Sequence, residues 1–174
     1  MMRFITILLC SLLLVSCGAV STVDYDTETD FTNLTSYQFF SDLDSGLNEL
    51  DDNRIIRAID SSFQKRGFER TDYCSFYIDF FAAETSTNSR NTLGIGVGGG
   101  GGNVGVGVSG GIPIGGRLIS QQLTIEIFEA SEGKKLVWKV IIDGELKENA
   151  TPSQKEAYYI SEIDKALQKF PPKE

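Results

Sequence analysis

The glycine-rich segment 94–116, "GIGVGGGGGNVGVGVSGGIPIGG", constrains the fold more than any other feature of the chain. It holds thirteen of the eighteen glycines and no charged side chain. Glycine loses more conformational freedom on folding than any other residue and packs no side chain, so this segment cannot supply a helix or a core. The hydrophobic core must therefore come from the blocks on either side of it.

Branched apolar residues alternate with glycine inside this segment, namely Ile95, Val97, Val104, Val106 and Val108. The period of two predicts a hairpin arm that turns near residues 99–103 and exposes these side chains on one face. The segment is either a flexible connector between two strands or an arm that becomes ordered on meeting a partner or a bilayer. In the second case these five residues are the candidate partner-binding surface.

Outside the glycine-rich segment, the patterns predict strands, a helix, further strands and a second helix. The first helix is capped by Asp51 or Asp52, ends at Gly67, and has apolar residues at helical spacing: Ile55, Ile56, Ile59 and Phe63. The second begins with a capping box at Thr151 and buries Ala157, Ile160, Ile163, Leu167 and Phe170. This order predicts an α+β fold: a mostly antiparallel sheet with two helices on one face, plus the glycine-rich hairpin or loop.

The first sixteen residues have the pattern of an export signal. Arg3 precedes the apolar run 4–15, which is too short to span a bilayer comfortably. The sequence Leu14-Val15-Ser16-Cys17 then resembles the lipobox of bacterial lipoproteins. That resemblance implies cleavage before Cys17, a diacylglycerol on its thiol and a further acyl chain, such as palmitate, on its amine.

These features predict a signal peptide (1–16), a lipidated tether (17–22) and one α+β domain (23–172). Gly18 stands where Asp resembles an inner-membrane retention signal, which favours the outer membrane and a periplasm-facing domain. A secreted protein in which Cys17 is incidental or a reactive thiol is the alternative.

Charge and cysteine content limit the possible partners. The net charge of −8, with no basic cluster, argues against nucleic acid and leaves the lipid to make the membrane contact. Cys74 has no cysteine with which to form an internal disulfide in the mature chain, and it is expected on the inward face of a strand with Phe76, Ile78 and Phe80.

Four acidic residues recur at every second position, namely Asp24, Asp26, Glu28 and Asp30. On an extended chain they would share one side, as a cation site or as a solvated edge. The motif Asp42-x-Asp44-x-Gly46 resembles the opening of an EF-hand loop, but Asn53 stands where that loop needs glutamate, so a surface turn is predicted.

The sequence predicts no enzyme, cofactor, nucleotide or metal site. Histidine is absent, which excludes Ser-His-Asp and Cys-His catalysis. Glycine this dense matches almost any glycine pattern, so the match to a dinucleotide fingerprint at Gly94 carries no weight. Trp138 and the pair Tyr158–Tyr159 are expected to serve packing rather than ligand binding. A non-catalytic binding or envelope-assembly module is the leading hypothesis, and a carboxylate-based envelope hydrolase and a carrier of a small apolar ligand are the alternatives.

Several stretches together resemble the bacterial lipoprotein family called domain of unknown function 4136. They are the lipobox cysteine, "VDYDTETDFTNLTSYQFF", "RIIRAIDSSFQKRGFER", "DYCSFYIDF", the glycine-rich middle, "LTIEIFEASEGKKLVWKV" and the closing "KFPP". The resemblance implies an α+β lipoprotein of the cell envelope and carries no catalytic residues.

Overall fold

The structure, a computed structural model, describes residues 20–87, 92–93, 112–113, 117–131 and 133–172. Its elements are β1 (Val20–Tyr25), a 3-10 turn (Phe31–Asn33), β2 (Ser36–Phe39), α1 (Glu49–Lys65), β3 (Glu69–Arg70), β4 (Phe76–Thr87), β5 (Thr92–Leu93), β6 (Ile112–Pro113), β7 (Leu118–Glu129), β8 (Leu136–Lys147) and α2 (Pro152–Leu167).

Six strands form one sheet in the order β1-β8-β7-β4-β2-β3, and β5 pairs with β6. Neighbouring strands among β1, β8, β7 and β4 are antiparallel, whereas β2 is parallel to its two neighbours, β4 and β3. The α+β prediction is confirmed, with a mixed sheet. The parallel pairs arise because α1 carries the chain back across the sheet between β2 and β4.

The central hairpin of β4 and β7 keeps one register over its whole length, from Phe76 opposite Glu129 to Thr87 opposite Leu118. Thr92 pairs with Pro113, and each lies five positions in sequence from the last pair of the hairpin, Thr87 and Leu118. This pairing therefore has the register that the hairpin would have if it continued. The turn between β7 and β8 includes Gly133, which has a φ of 120°.

Helix α1 begins one turn earlier than the sequence predicts. Its N-cap is Asn48, whose side chain accepts hydrogen bonds from the backbone N–H groups of Leu50 and Asp51. Asp51 is instead buried and forms ion pairs with Arg54 and, across to α2, with Lys155, with N–O distances of 2.7 Å in both. The predicted end is confirmed, because Gly67 has a φ of 87°.

Helix α2 has the predicted capping box of Thr151 and Gln154. Its buried stripe is rotated relative to the prediction and consists of Tyr159, Ile163, Ala166 and Leu167. Ala157 and Ile160 are exposed, so the prediction was wrong for both. The helix has to face the sheet and α1 together, and Tyr159 rather than Ile160 lies towards β7, where its hydroxyl accepts a hydrogen bond from Gln121.

The core lies between the helices and one face of the sheet. Phe170, which follows α2, is its hub: five rings lie within 5.9 Å of its ring centroid, those of Phe31, Phe63, Phe68, Phe76 and Trp138. Phe76, Ile78 and Phe80 face this core as predicted. Cys74 does not, because β4 begins only at Phe76. Cys74 is half-buried. It raises the pKa of the hydroxyl of Tyr77, a residue on the face of the sheet that points away from the core.

Candidate binding groove

A groove of about 460 Å³ lies where the connection after β1 meets the C-terminal tail. Its lining residues are Tyr25, Asp26, Thr27, Thr29, Asp30, Phe31, Thr32, Pro171 and Pro172. The two chain segments are brought together because β1 pairs with β8 while the tail runs back from α2 across the same end of the sheet. We call this feature the aromatic groove.

Two rings and two prolines supply the apolar wall of the aromatic groove. Tyr25 is 42% exposed, and its ring centroid lies 6.1 Å from that of Phe31 in an edge-to-face arrangement. Phe31 makes a second edge-to-face contact, at 5.9 Å, with the buried ring of Phe170. The core therefore holds the wall in place. Because the aromatic rings are already rigid, binding a ligand against them would cost little side-chain entropy.

Asp26 organises the turn that follows β1. Its carboxylate accepts hydrogen bonds from the backbone N–H of Glu28 at 3.1 Å and from the Thr29 hydroxyl at 2.8 Å, and it forms an ion pair with Lys135. Together these contacts lower the pKa of Asp26 to about 2, and the hydrogen bond from Lys135 contributes most to this shift. The carboxylate is ionised throughout the physiological pH range.

Asp30 caps the 3-10 turn in the same manner. It accepts hydrogen bonds from the hydroxyl and backbone N–H of Thr32, at 2.6 and 3.0 Å, and from the Asn33 amide at 2.9 Å. The hydroxyl contact contributes most to the lowered pKa of Asp30. A carboxylate with a lowered pKa is a weak proton acceptor at neutral pH, so neither aspartate is suited to act as a general base.

The C-terminal tail is fixed by two cationic side chains. Arg66 of α1 donates hydrogen bonds to the carbonyl oxygens of Leu167 and Phe170. Lys169 donates from Nζ to the carbonyl and hydroxyl of Ser21, at 2.8 and 2.7 Å. Pro171 and Pro172 are thus held beside β1, and a second groove of about 380 Å³ on their other side shares these prolines and Tyr25 with the aromatic groove.

The aromatic groove combines an apolar wall with a charged rim. Its volume falls within the range of about 300–1,000 Å³ that is typical of ligand sites. The ring faces attract cations, and the ionised carboxylate of Asp30, whose hydrogen bonds come from neutral groups, adds negative charge beside them. A ligand that combines a cationic group with an apolar surface matches the aromatic groove best.

The acidic row predicted from the sequence does not form one surface. Only Asp24 lies on β1, because the strand ends at Tyr25 and the chain then turns. Asp26 and Asp30 accept hydrogen bonds from residues that follow them in their own turns, and Glu28 is exposed. Among the residues that the structure describes, no group of three or more His, Cys, Asp or Glu side chains could hold a metal ion.

The other aromatic candidates pack within the fold. Trp138 is fully buried, and its indole N–H has no hydrogen-bond partner in the described part of the chain. Tyr159 is buried beneath α2. Tyr158 is half-buried, and its hydroxyl lies against Gly144 on β8, where a Cβ atom would overlap it. The segment from Asp42 to Gly46 leads from β2 to α1 as an irregular turn, as expected.

A pair of carboxylates lies on the face of the sheet opposite the helices. Asp79 on β4 is directly opposite Glu126 on β7, which is itself opposite Lys139 on β8. The pKa of both acids is raised, mainly by burial. The positive charge of Lys139 partly opposes the rise in the pKa of Glu126, whereas the negative charge of Asp42 adds to the rise in the pKa of Asp79. This is the only pair of neighbouring carboxylates with raised pKa among the residues described.

Two predicted sites lie outside the described residues. They are the lipidation site, Cys17, and the partner-binding arm, Ile95, Val97, Val104, Val106 and Val108. Both stay predictions from the sequence. None of the helices in the part of the chain that the structure covers is long and apolar enough to cross a membrane.

Sequence reasoning missed the aromatic groove. Locally, Pro171 and Pro172 indicate only that a helix ends, and the residues around Tyr25 indicate only a strand. Asp30 and Asn33 are residue types that favour turns, but nothing local connects them with the C-terminus.

The fold and groove define an α+β domain with a six-stranded mixed sheet, two helices on one face, and a surface site built from both ends of the domain. More specifically, the chain belongs to the family described as Domain of unknown function (DUF4136), whose model matches residues 21–172. This confirms the family predicted from the sequence. No curated protein sequence matches the chain.

Three solved structures are similar to the chain at low sequence identity. A PDZ domain protein from Parabacteroides distasonis is 16% identical, with a TM-score of 0.55 over 95% of this chain and 39% of that one. The present chain thus spans about two-fifths of its length. Two structures of the PelC dodecamer from Paraburkholderia phytofirmans have TM-scores of 0.49 and 0.47, identities of 10% and 11%, and coverages of 86% and 85% of this chain and 95% and 96% of that one.

Proposed function

We propose that this protein is a non-catalytic lipoprotein of the bacterial outer membrane that faces the periplasm and binds a polypeptide partner through the aromatic groove. The observation that carries the binding role is the position of the ionised carboxylate of Asp30, whose hydrogen bonds come from neutral groups, beside the exposed ring of Tyr25 and beside Phe31 and Pro171. The proposed partner is a segment of an envelope protein that pairs a Lys or Arg with an apolar residue.

The proposed anchor is the lipidated thiol of Cys17, as the lipobox resemblance implies. Stable attachment to a bilayer needs two or more acyl chains, which a diacylglycerol with an N-acyl chain would supply. Intact-mass analysis of the protein purified from its native membrane tests this, with Cys17→Ala as the comparison. An unmodified thiol, or unchanged membrane fractionation of the variant, would refute the anchor.

The binding role is tested by photocrosslinking in intact cells. A photoreactive amino acid at the exposed position Thr27, inside the aromatic groove, should capture a discrete partner, whereas one at Ile160, which is also exposed but lies on α2, should not. Adding Tyr25→Ala should abolish the Thr27 adduct, because it removes the larger exposed ring. The same adducts at both positions, or persistence without Tyr25, would contradict the proposal.

Ligand chemistry is tested with synthetic peptides on the purified domain. Peptides that pair Arg with Leu or Tyr should bind, and their Glu-for-Arg analogues should not. Asp30→Asn should weaken binding by about tenfold, because it removes one charge-assisted contact. Asp143→Asn, an exposed carboxylate on β8 away from the aromatic groove, is the matched control.

A hydrolase is the second candidate, and the pair Asp79–Glu126 is the specific observation that favours it. Two carboxylates on adjacent strands, both with a pKa raised by burial, are the residue types that acid–base hydrolysis uses. Activity on a panel of envelope glycans and esters, lost in Asp79→Asn and in Glu126→Gln but kept in Asp143→Asn, would support this candidate. Full activity in both variants would exclude the pair.

A further inference from the structure

Strand β1 lies at one edge of the sheet. It pairs with β8 on one side, and among the residues that the structure describes no strand pairs with its other side. The backbone N–H of Asp26 donates to the carbonyl oxygen of Val137 on β8 at 2.9 Å, so the groups of β1 that bond to β8 belong to every second residue counted back from Asp26. The backbone N–H and C=O groups of Ser21, Val23 and Tyr25 therefore point away from the sheet.

The C-terminal tail closes the beginning of this free edge. Lys169 donates from Nζ to the carbonyl and hydroxyl oxygens of Ser21, at 2.8 and 2.7 Å. Within the described part of the chain, Val23 and Tyr25 receive no comparable contact at the edge. Because unpaired N–H and C=O groups on a strand edge form a template for another extended chain, the open part of the edge at Val23 and Tyr25 is suited to strand pairing.

A groove for side chains lies beside the open part of the edge. Val23 and Tyr25 are opposite Val140 and Trp138 of β8, which are buried in the core, so both side chains lie on the helix side of the sheet. An added strand continues the pleat, and its residues opposite Val23 and Tyr25 would direct their side chains to the same side. The groove of about 380 Å³ that borders the aromatic groove is there, and it is lined by Val23, Tyr25, Gln168, Lys169, Pro171 and Pro172.

We propose that the polypeptide partner of the aromatic groove binds as an added antiparallel β-strand on the free edge of β1 at Val23 and Tyr25. This inference rests on the proposed function and specifies how the partner is held. An apolar side chain opposite Val23 fills the groove beside the edge, and a cationic side chain opposite Tyr25 reaches the aromatic groove and Asp30. In the antiparallel direction, the more stable one per residue, the cationic residue comes first and one residue separates the two, as in Arg-x-Leu.

A segment of another protein fits this edge better than a second copy of β1. Two copies paired about a two-fold axis at Val23 would place Ser21 of each copy opposite Tyr25 of the other, where Lys169 already holds the Ser21 carbonyl. A partner that uses only Val23 and Tyr25 avoids this conflict. The net charge of −8 and the carboxylate of Asp30 also favour a cationic partner over a second acidic chain.

An N-methylation scan of a peptide tests the strand geometry on the full-length protein in detergent micelles. The probe is a short synthetic peptide with a central Arg-Ala-Leu sequence, in which the Leu amide faces β1 and the Ala amide faces away. N-methylation of the Leu amide should weaken binding by about tenfold or more, because it removes a backbone hydrogen bond and leaves the carbonyl of Val23 unpaired. N-methylation of the Ala amide should change the affinity by less than about twofold, since that N–H does not enter the ladder.

A substitution at the edge tests the same contact from the protein side. Val23→Pro removes the N–H that faces the partner and no hydrogen bond to β8, and proline is tolerated at such positions of edge strands. Val23→Ala, which truncates the same side chain but keeps the N–H, is the matched control, and urea unfolding checks that both variants are folded. The proline variant should bind the peptide about tenfold more weakly than the alanine variant.

The outcomes separate strand addition from the proposed function. Binding that is equally sensitive, or equally insensitive, to methylation at the two amides overturns strand addition, while the aromatic groove keeps its binding role if Asp30→Asn still weakens it. If no peptide that pairs Arg with Leu binds, the proposed function fails and strand addition fails with it. A dimer in light scattering that Val23→Pro converts to a monomer would show that a second copy occupies the edge, which also overturns the proposal.

Discussion

Replacing Phe170 by alanine should remove the hub of the core and loosen the aromatic groove. Phe170 is 2% exposed, and its ring is surrounded by five others at centroid distances of 5.3–5.9 Å. Truncating a buried phenylalanine costs about 3–5 kcal/mol, and the lower part of that range is expected because the short tail can partly collapse into the space. For a domain of this size, about 3 kcal/mol corresponds to a fall in Tm of about 6–12 °C.

Urea unfolding followed by tryptophan fluorescence measures this change directly, because Trp138 is the only tryptophan and its ring centroid lies 5.3 Å from that of Phe170. Phe170→Leu, which keeps most of the volume, should cost about 1 kcal/mol. Tyr73→Ala, at a fully exposed ring, should change stability by less than about 0.5 kcal/mol. A loss below about 1 kcal/mol for Phe170→Ala, with an unchanged dependence on urea, would show that the tail does not pack as described.

Three further predictions concern single contacts. Gly144→Ala should destabilise the domain by about 1–3 kcal/mol, because its Cβ would overlap the Tyr158 hydroxyl. Adding Tyr158→Phe should recover part of that loss in a urea double-mutant cycle; no recovery would place the strain elsewhere. Because the pKa of Asp26 is lower in the folded protein than its ordinary value of 3.8, its ionised carboxylate stabilises the fold above pH 3.8. This contribution disappears as the pH falls to about 2. Asp26→Asn should therefore lower Tm at neutral pH but not at about pH 2, and a constant difference would rule out the ion pair with Lys135 as its source. Burial raises the pKa of Asp79, so its ionisation opposes folding increasingly as the pH rises above 3.8. Asp79→Asn should be more stable than the parent at about pH 7 and equal to it at about pH 3 by thermal unfolding; a less stable variant at neutral pH would contradict this.

Much of the secondary structure could be predicted because its signals are local. Thr151 and Gln154 form the predicted capping box, and Gly67 ends α1 in a left-handed conformation that other residues adopt at a cost. The start of α1 was misplaced because Asp51 is also a good capping residue. Its burial between Arg54 and Lys155 depends on a second helix about 100 residues away, which no local pattern reveals.

The details that depend on packing between distant elements were harder to predict. Spacing alone allowed both Ile160 and Tyr159 on the buried side of α2, and the hydrogen bond from Gln121 on β7 favours Tyr159. Likewise, Cys74 continues the alternation of β4 in sequence, but the strand begins two residues later, where pairing with β2 and β7 begins. A period of two predicts which residues could share a face, but only the neighbouring strands determine where the pairing starts.

The aromatic groove illustrates the same limit for function. Its aspartates looked like an alternating row, but Asp26 and Asp30 each bond to residues two and three positions further on, which is the behaviour of turn-forming aspartates. Their separation by four residues therefore reflects two successive turns rather than one extended strand. Those turns form the aromatic groove only together with Pro171 and Pro172, which make its other wall, and that wall exists because Arg66 and Phe170 hold the tail in place. The aromatic groove is thus a consequence of how the two ends of the domain are joined, and for that reason it has no signature in either end alone.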